Sequence, residues 1–114
     1  MCGIAGGIGP SAPNKLLLDN QLNSINHRGP DDQGTYVNQG IALGMCRLAI
    51  VEIADGKQPA SDARESIHLV FNGEIYNYRE LRQELESNGI HCRDSSESEV
   101  IINLYLKHGL DFIN

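Results

Sequence analysis

Cys2 carries the most reactive chemistry in the chain. Removal of Met1 would give it a thiol and a free α-amino group on one residue. An α-amine has a reference pKa of about 7.7–8.0, so it can act as general base for its own thiol without a His or an Asp. Gly3 would let the backbone come close to a substrate. The plain alternative is a chance cysteine beside a start codon. Asn72-Gly73 follows the apolar run Ile67-His68-Leu69-Val70-Phe71. A side-chain amide and a backbone N–H could form a two-donor oxyanion hole there, and the same dipeptide is also an ordinary hairpin turn. Arg47 sits in the mostly apolar stretch G-M-C-R-L-A-I-V. Its planar fork suits a carboxylate, from a substrate or from a structural partner such as Glu52 or Glu74. Glu74 and Glu97 could hold a substrate ammonium. Either could instead be solvated charge, and Glu97 also suits the first turn of a helix. Together these residue types describe a site for an α-amino acid in which a thiolate attacks a side-chain amide and transfers its acyl group.

The elements that must position these residues are partly legible. Residues 2–8 read as a Gly-rich strand, punctuated by Pro10, Ser11 and Pro13. The glycines at 3, 6, 7 and 9 do not spell a phosphate-binding loop and suggest close strand packing. Leu18, Leu22 and Ile25 fall at i, i+4 and i+7, which predicts a helix over 14–26. Residues 27–34, H-R-G-P-D-D-Q-G, read as a loop, followed by strands near 35–38 and 41–52. Residues 53–66 read as polar loop, 67–71 as a buried strand and Asn72-Gly73 as a turn. Asn77, with Glu80 three residues on, predicts a capped helix at 78–88 stopped by Gly89. A strand near 90–93 follows. Ser96, with Glu99 in the same relation, predicts a helix at 97–108 closed by Gly109. Strands in clusters with tight turns favour an α+β fold over a regular βαβ alternation.

Composition narrows the function classes. The chain has 114 residues, one domain's worth or part of one, with 40% hydrophobic and 21% charged residues, an ordinary globular balance. Nine basic against 15 acidic residues give a net charge of −6, which disfavours nucleic-acid backbone binding. Aromatics at 5% and no Trp disfavour a base-stacking surface. No apolar run reaches the roughly 18 residues of a membrane span, and no secretory signal opens the chain, so a cytoplasmic location is expected. The three widely spaced cysteines, Cys2, Cys46 and Cys92, spell neither a disulfide framework nor a zinc pair, so no metal is expected.

Several ordered motifs then converge. The Met-Cys-Gly start, H-R-G-P-D at 27–31, R-L-A-I-V at 47–51 and G-K-Q-P at 56–59 come in order. F-N-G-E-I-Y-N-Y-R-E-L at 71–81 and S-E-V-I at 98–101 continue the series. With these the chain resembles the glutaminase domain of class II glutamine amidotransferases. R-L-A-I-V and N-G-E-I-Y-N resemble the versions found in asparagine synthetases (glutamine-hydrolysing).

The resemblance implies an N-terminal-nucleophile hydrolase fold, an αββα sandwich of two antiparallel sheets. It implies that Cys2 is the nucleophile after Met1 removal and that Asn72 and Gly73 form the oxyanion hole. It implies a glutamine pocket of Arg47, Leu48, Ala49, Ile50, Val51, Asn72, Gly73, Glu74 and Glu97, with Arg47 on the α-carboxylate. The family has Asp on the substrate ammonium where this chain has Glu97, and Asp where it has Glu52. The 27–34 loop would shape the site. Family glutaminase domains are longer, so residues 1–114 are expected to be a partial domain lacking the synthetase domain. That missing domain would bring ATP, Mg²⁺ and L-aspartate, no cofactor is expected in the glutaminase part, and a homodimer is expected at full length. The alternative is a truncated module that binds glutamine or a partner without turnover.

Overall fold

A computed structural model describes residues 2–48 and 56–114. The elements run β1 (Gly3–Ile8), α1 (Lys15–Ser24), a 3₁₀ turn at Asn26–Arg28, β2 (Asp32–Asn38) and β3 (Ile41–Arg47). They continue with β4 (Ala60–Ser61), β5 (His68–Leu69), α2 (Tyr78–Ser87), α3 (Glu97–His108) and a 3₁₀ turn at Gly109–Ile113. The described residues form an α+β fold with two small antiparallel sheets, ordered β1-β3-β2 and β4-β5.

The first sheet carries the start of the chain. β1 pairs with β3 from Gly3 opposite Cys46 to Ile8 opposite Ile41, and β2 pairs with β3 from Asp32 opposite Arg47 to Asn38 opposite Ile41. Of the β1 glycines, Gly6 serves close strand packing, since a Cβ there would lie 2.1 Å from the Ala42 carbonyl oxygen; one at Gly3 or Gly7 would instead meet Ile25 or Pro13 side-chain atoms. Helix α1 starts where Asn14 Oδ1 accepts from Leu17 N–H at 2.9 Å. Its Leu18 and Leu22, four residues apart on one face, are fully buried against Ala42 and Cys46 of β3. Small residues in the sheet let the helix approach closely. A Cβ at Gly44 would stand 2.8 Å from Leu22 Cδ1.

A second core lies between α2 and α3, built on Leu85, Val100 and Leu104 with Leu81, Ile90, Cys92 and Phe112 around them. Ser96 caps α3, its Oγ accepting from Glu99 N–H at 3.2 Å, and Gly89 and Gly109 follow the two helices with positive φ. Between β4 and β5, Asp62 Oδ1 accepts from Ser66 and Ile67 N–H at 2.7 Å each, and Ser66 Oγ donates to Oδ2 at 2.8 Å. The Ile67 bond first, then the Ser66 bonds, hold the Asp62 carboxyl at about 2 against the cost of its burial. Stacking of Tyr36 on His68, ring centroids 3.6 Å apart, joins the two sheets.

Several sequence expectations are corrected. No strand forms at 90–93; Ile90 N–H bonds back to Leu85 O, and Arg93 turns its backbone N–H and guanidinium to the buried Glu99. That engagement also prevents a capping box, because Ser96 N–H goes to Asp94 Oδ1 at 2.8 Å instead. Asn77 stands at the start of α2 without a side-chain cap bond, its backbone at φ −97°, ψ 27° rather than extended. β2 begins at Asp32, inside the expected 27–34 loop, because the pairing with β3 continues to Arg47. The expected loop at 53–66 contains β4, and the 67–71 strand shortens to His68–Leu69. Of the expected 41–52 strand, residues 49–52 lie outside the described residues, as does Met1.

Candidate active site

Cys2 stands immediately before β1, so the sheet fixes its position. Its carbonyl oxygen accepts from Arg28 Nε and from Asn72 Nδ2, each at 3.0 Å. Leu48 N–H points at Cys2 Sγ at 3.5 Å, which brings the backbone that follows β3 to the thiol. The 27–34 loop, expected from the resemblance to shape the site, lies close against the end of β3. A Cβ at Gly29 would fall 2.5 Å from the Arg47 carbonyl carbon and the Cys46 carbonyl oxygen. Asp31 N–H donates to Arg47 O at 3.0 Å. The loop is thus closed onto the end of β3.

A cleft of about 260 Å³ opens at this point. Of the expected site residues it gathers Cys2, Arg47, Leu48, Asn72, Gly73 and Glu97, together with Gln58, Phe71, Ser96 and Ser98. Arg47 forms no ion pair among the described residues, and its Nη1 is buried without a hydrogen-bond partner among them. A buried guanidinium nitrogen left in that state is costly, and an incoming carboxylate would satisfy it. Of the structural partners considered for Arg47, Glu52 lies outside the described residues and Glu74 is exposed.

Glu97 opens α3 at the cleft wall, and its Oε2 accepts from Ile75 N–H at 2.8 Å. One carboxylate oxygen therefore steadies the loop that follows Asn72-Gly73. Glu74 is not brought to the Cys2 cleft; it lines a neighbouring open hollow with Tyr76, Arg79, Glu80 and the other side of Glu97. Ala49, Ile50 and Val51 lie outside the described residues. Gln58 and Phe71 were given no role by the sequence reading. Gln58 lies inside the G-K-Q-P motif at 56–59, but an uncharged amide before a proline carries no spacing signal.

The other two thiols contrast with Cys2 in setting. Cys46 is sealed under α1 with its Sγ 3.4 Å from Leu22 O, and Cys92 lies in the α2–α3 core. Burial pushes both thiols up, which disfavours their thiolates. Among the described residues no group of three or more His, Cys, Asp or Glu could hold a metal ion. No helix of the described residues is long and apolar enough to cross a membrane.

The whole chain, residues 1–114, matches the glutamine amidotransferase domain family. The chain belongs to that family. Among relatives of this amidotransferase chain, asparagine synthetase [glutamine-hydrolyzing] 1 of Bacillus subtilis is 37% identical over 92% of the chain. Asparagine synthetase [glutamine-hydrolyzing] 1 of Arabidopsis thaliana is 37% identical over all of it. A probable asparagine synthetase [glutamine-hydrolyzing] of Dictyostelium discoideum is 42% identical over 79%. The amidotransferase chain spans 17%, 20% and 16% of the length of these three proteins.

Proposed function

We propose that this chain is the glutamine-hydrolysing part of an asparagine synthetase-like enzyme. The observation that carries the reading is the convergence on one cleft of Cys2, Asn72-Gly73 and the buried Nη1 of Arg47, which has no hydrogen-bond partner among the described residues. With Met1 removed, the Cys2 α-amine takes the thiol proton, and the thiolate attacks the carbonyl carbon of the glutamine side-chain amide. Asn72 Nδ2 and the Gly73 N–H take up the negative charge on the tetrahedral oxygen. The α-ammonium then returns its proton to the leaving nitrogen, the C–N bond breaks, and ammonia leaves a γ-glutamyl thioester. Water cleaves the thioester, giving glutamate and the free thiol.

Arg47 binds the substrate α-carboxylate, and Leu48 N–H stands beside the sulfur. Glu97 offers its second carboxylate oxygen to the α-ammonium while the first holds Ile75. Glu74 and residues 49–51 complete the pocket in this reading. The small antiparallel sheets and helices fit part of an αββα sandwich. The domain needs no cofactor for this step. ATP, Mg²⁺ and L-aspartate belong to a separate synthetase domain that would accept the ammonia, in a cytoplasmic protein that is a homodimer at full length.

The test is intact mass before and after an electrophilic glutamine analogue, with glutamine hydrolysis measured alongside. One adduct on Cys2, blocked by glutamine and absent with Cys2→Ala, is expected, together with loss of ammonia release in that variant. Glutamine-dependent ammonia release persisting in Cys2→Ala would overturn the reading. Glutamine binding without turnover or adduct would favour the non-catalytic module.

A further inference from the structure

Gln58 is a cleft residue whose side-chain amide is bonded to the backbone of Phe71. Its Oε1 accepts from Phe71 N–H at 2.6 Å, and its Nε2 donates to Phe71 O at 3.0 Å. One side-chain amide thereby satisfies both backbone groups of one residue, as a neighbouring strand does in an antiparallel ladder. The two bonds fix the peptide units on either side of Phe71, and the second of these leads directly into Asn72. Phe71 in turn underlies Gly73: a Cβ there would lie 3.1 Å from ring atoms Cε2 and Cζ.

Gln58 is itself seated from the other side. A Cβ at Gly34 of β2 would fall 1.8 Å from the Gln58 carbonyl oxygen, so this backbone lies directly against the sheet. That sheet carries Arg47 and leads out of Cys2. Gln58 therefore joins the sheet that holds the nucleophile to the segment that holds the oxyanion donors.

We infer that Gln58 is a positioning residue, whose amide clamp on Phe71 sets the Asn72-Gly73 donors relative to the Cys2 thiol. The inference rests on the glutaminase reading given above. Oxyanion donors act at about 2.7–3.1 Å, and a misplacement of about 1 Å costs on the order of 100-fold in rate. The Arg47 grip on the substrate carboxylate comes from β3 and does not run through Phe71. Loss of the clamp should therefore reduce kcat and leave KM for glutamine largely in place.

The test compares the whole wild-type protein with Gln58→Met and Gln58→Glu in steady-state glutamine hydrolysis. Gln58→Met keeps the side-chain length and loses both bonds. Gln58→Glu keeps an acceptor for Phe71 N–H but sets a carboxylate oxygen against the Phe71 carbonyl; on protonation it regains a donor and restores the pair. At pH 8 both variants should lose about 10- to 100-fold in kcat, with KM changed by less than about threefold. At pH 5.5 the activity of Gln58→Glu relative to wild type should recover by at least about threefold, while that of Gln58→Met stays flat. Cys2, Arg47 and Glu97, the titratable or charged groups lining the same cleft, are common to both variants, so Gln58→Met controls for their titration.

A kcat of Gln58→Met within about twofold of wild type would overturn the inference. So would equal pH responses of the two variants, since a merely structural loss gives no selective recovery. If Gln58→Met does not fold, the pH ratio of Gln58→Glu to wild type decides alone. Wild-type protein that hydrolyses no glutamine overturns the functional reading and this inference with it. Active wild type beside an unaffected Gln58→Met overturns this inference only.

Discussion

Arg47 shows at the scale of one residue how a candidate site becomes legible in a sequence. A guanidinium inside an apolar stretch demands an anion, and the structure leaves its Nη1 buried without a partner among the described residues. Replacing it by Met removes two charge-assisted hydrogen bonds to a substrate carboxylate, about 3 kcal/mol together, which corresponds to a rise of about 100-fold in KM for glutamine. Steady-state kinetics should show that rise, and an unchanged KM would remove Arg47 from the carboxylate site. Cys2 and Asn72 stood out by residue type, but each kept a plain alternative, a chance cysteine or a hairpin turn, until the ordered motifs converged. Gln58 did not stand out, because its role lies in two bonds to a backbone 13 residues away. Glu97 was legible only in part. Its charge predicted an ammonium partner, but nothing in its type predicted that one of its oxygens would hold Ile75 N–H.

At the scale of elements, helices were read more faithfully than strands. Helix α1 declares itself by the i, i+4 spacing of Leu18 and Leu22, and α3 by its Ser96 cap and Gly109 stop. Strand identity depends on a partner that the sequence does not name. Ile90-His91-Cys92-Arg93 has strand-like alternation, yet the segment serves as a tie from α2 to Glu99. Two predictions belong here. Leu22→Ala should destabilise the protein by about 2–5 kcal/mol, measured by urea unfolding, because Leu22 is fully buried between α1 and the small residues of β3. Gly34→Ala should cost about 1–3 kcal/mol or more, since its new Cβ meets the Gln58 backbone rather than a yielding side chain. The Gly34 variant should also lose kcat, as the collision displaces the residue that clamps Phe71.

At the scale of the whole molecule, the β4-β5 sheet and the α2–α3 pair are joined by polar ties. Arg93 Nη2 donates both to Ser61 O of β4 and, at 3.0 Å, to Glu99 of α3. Desolvation pushes the Glu99 carboxyl up, but the bonds from Arg93 and Asn103 outweigh it and hold the group below its ordinary range. Asp62 is also held low, at about 2. Both carboxyls therefore bind protons more weakly folded than unfolded. The stability they contribute is complete above the unfolded carboxylate pKa of about 4 and is lost as pH falls from there towards about 2. Denaturation midpoints between pH 7 and pH 2 should fall most steeply below pH 4. Asp62→Asn should flatten that acid limb, and an unchanged limb would remove Asp62 from it.

The contacts that make the site also set when it can exist. Cys2 reaches Leu48 across 46 residues and Asn72 across 70, whereas the α1 cap closes over 3. Long loops must close before such contacts are rewarded, and folding rates fall as sequence separation grows. In a refolding experiment, helical circular dichroism should recover ahead of the capacity of Cys2 to accept a glutamine-directed label. Cys2 is second in the sequence, and its labelling would be a clock for the last contacts to form.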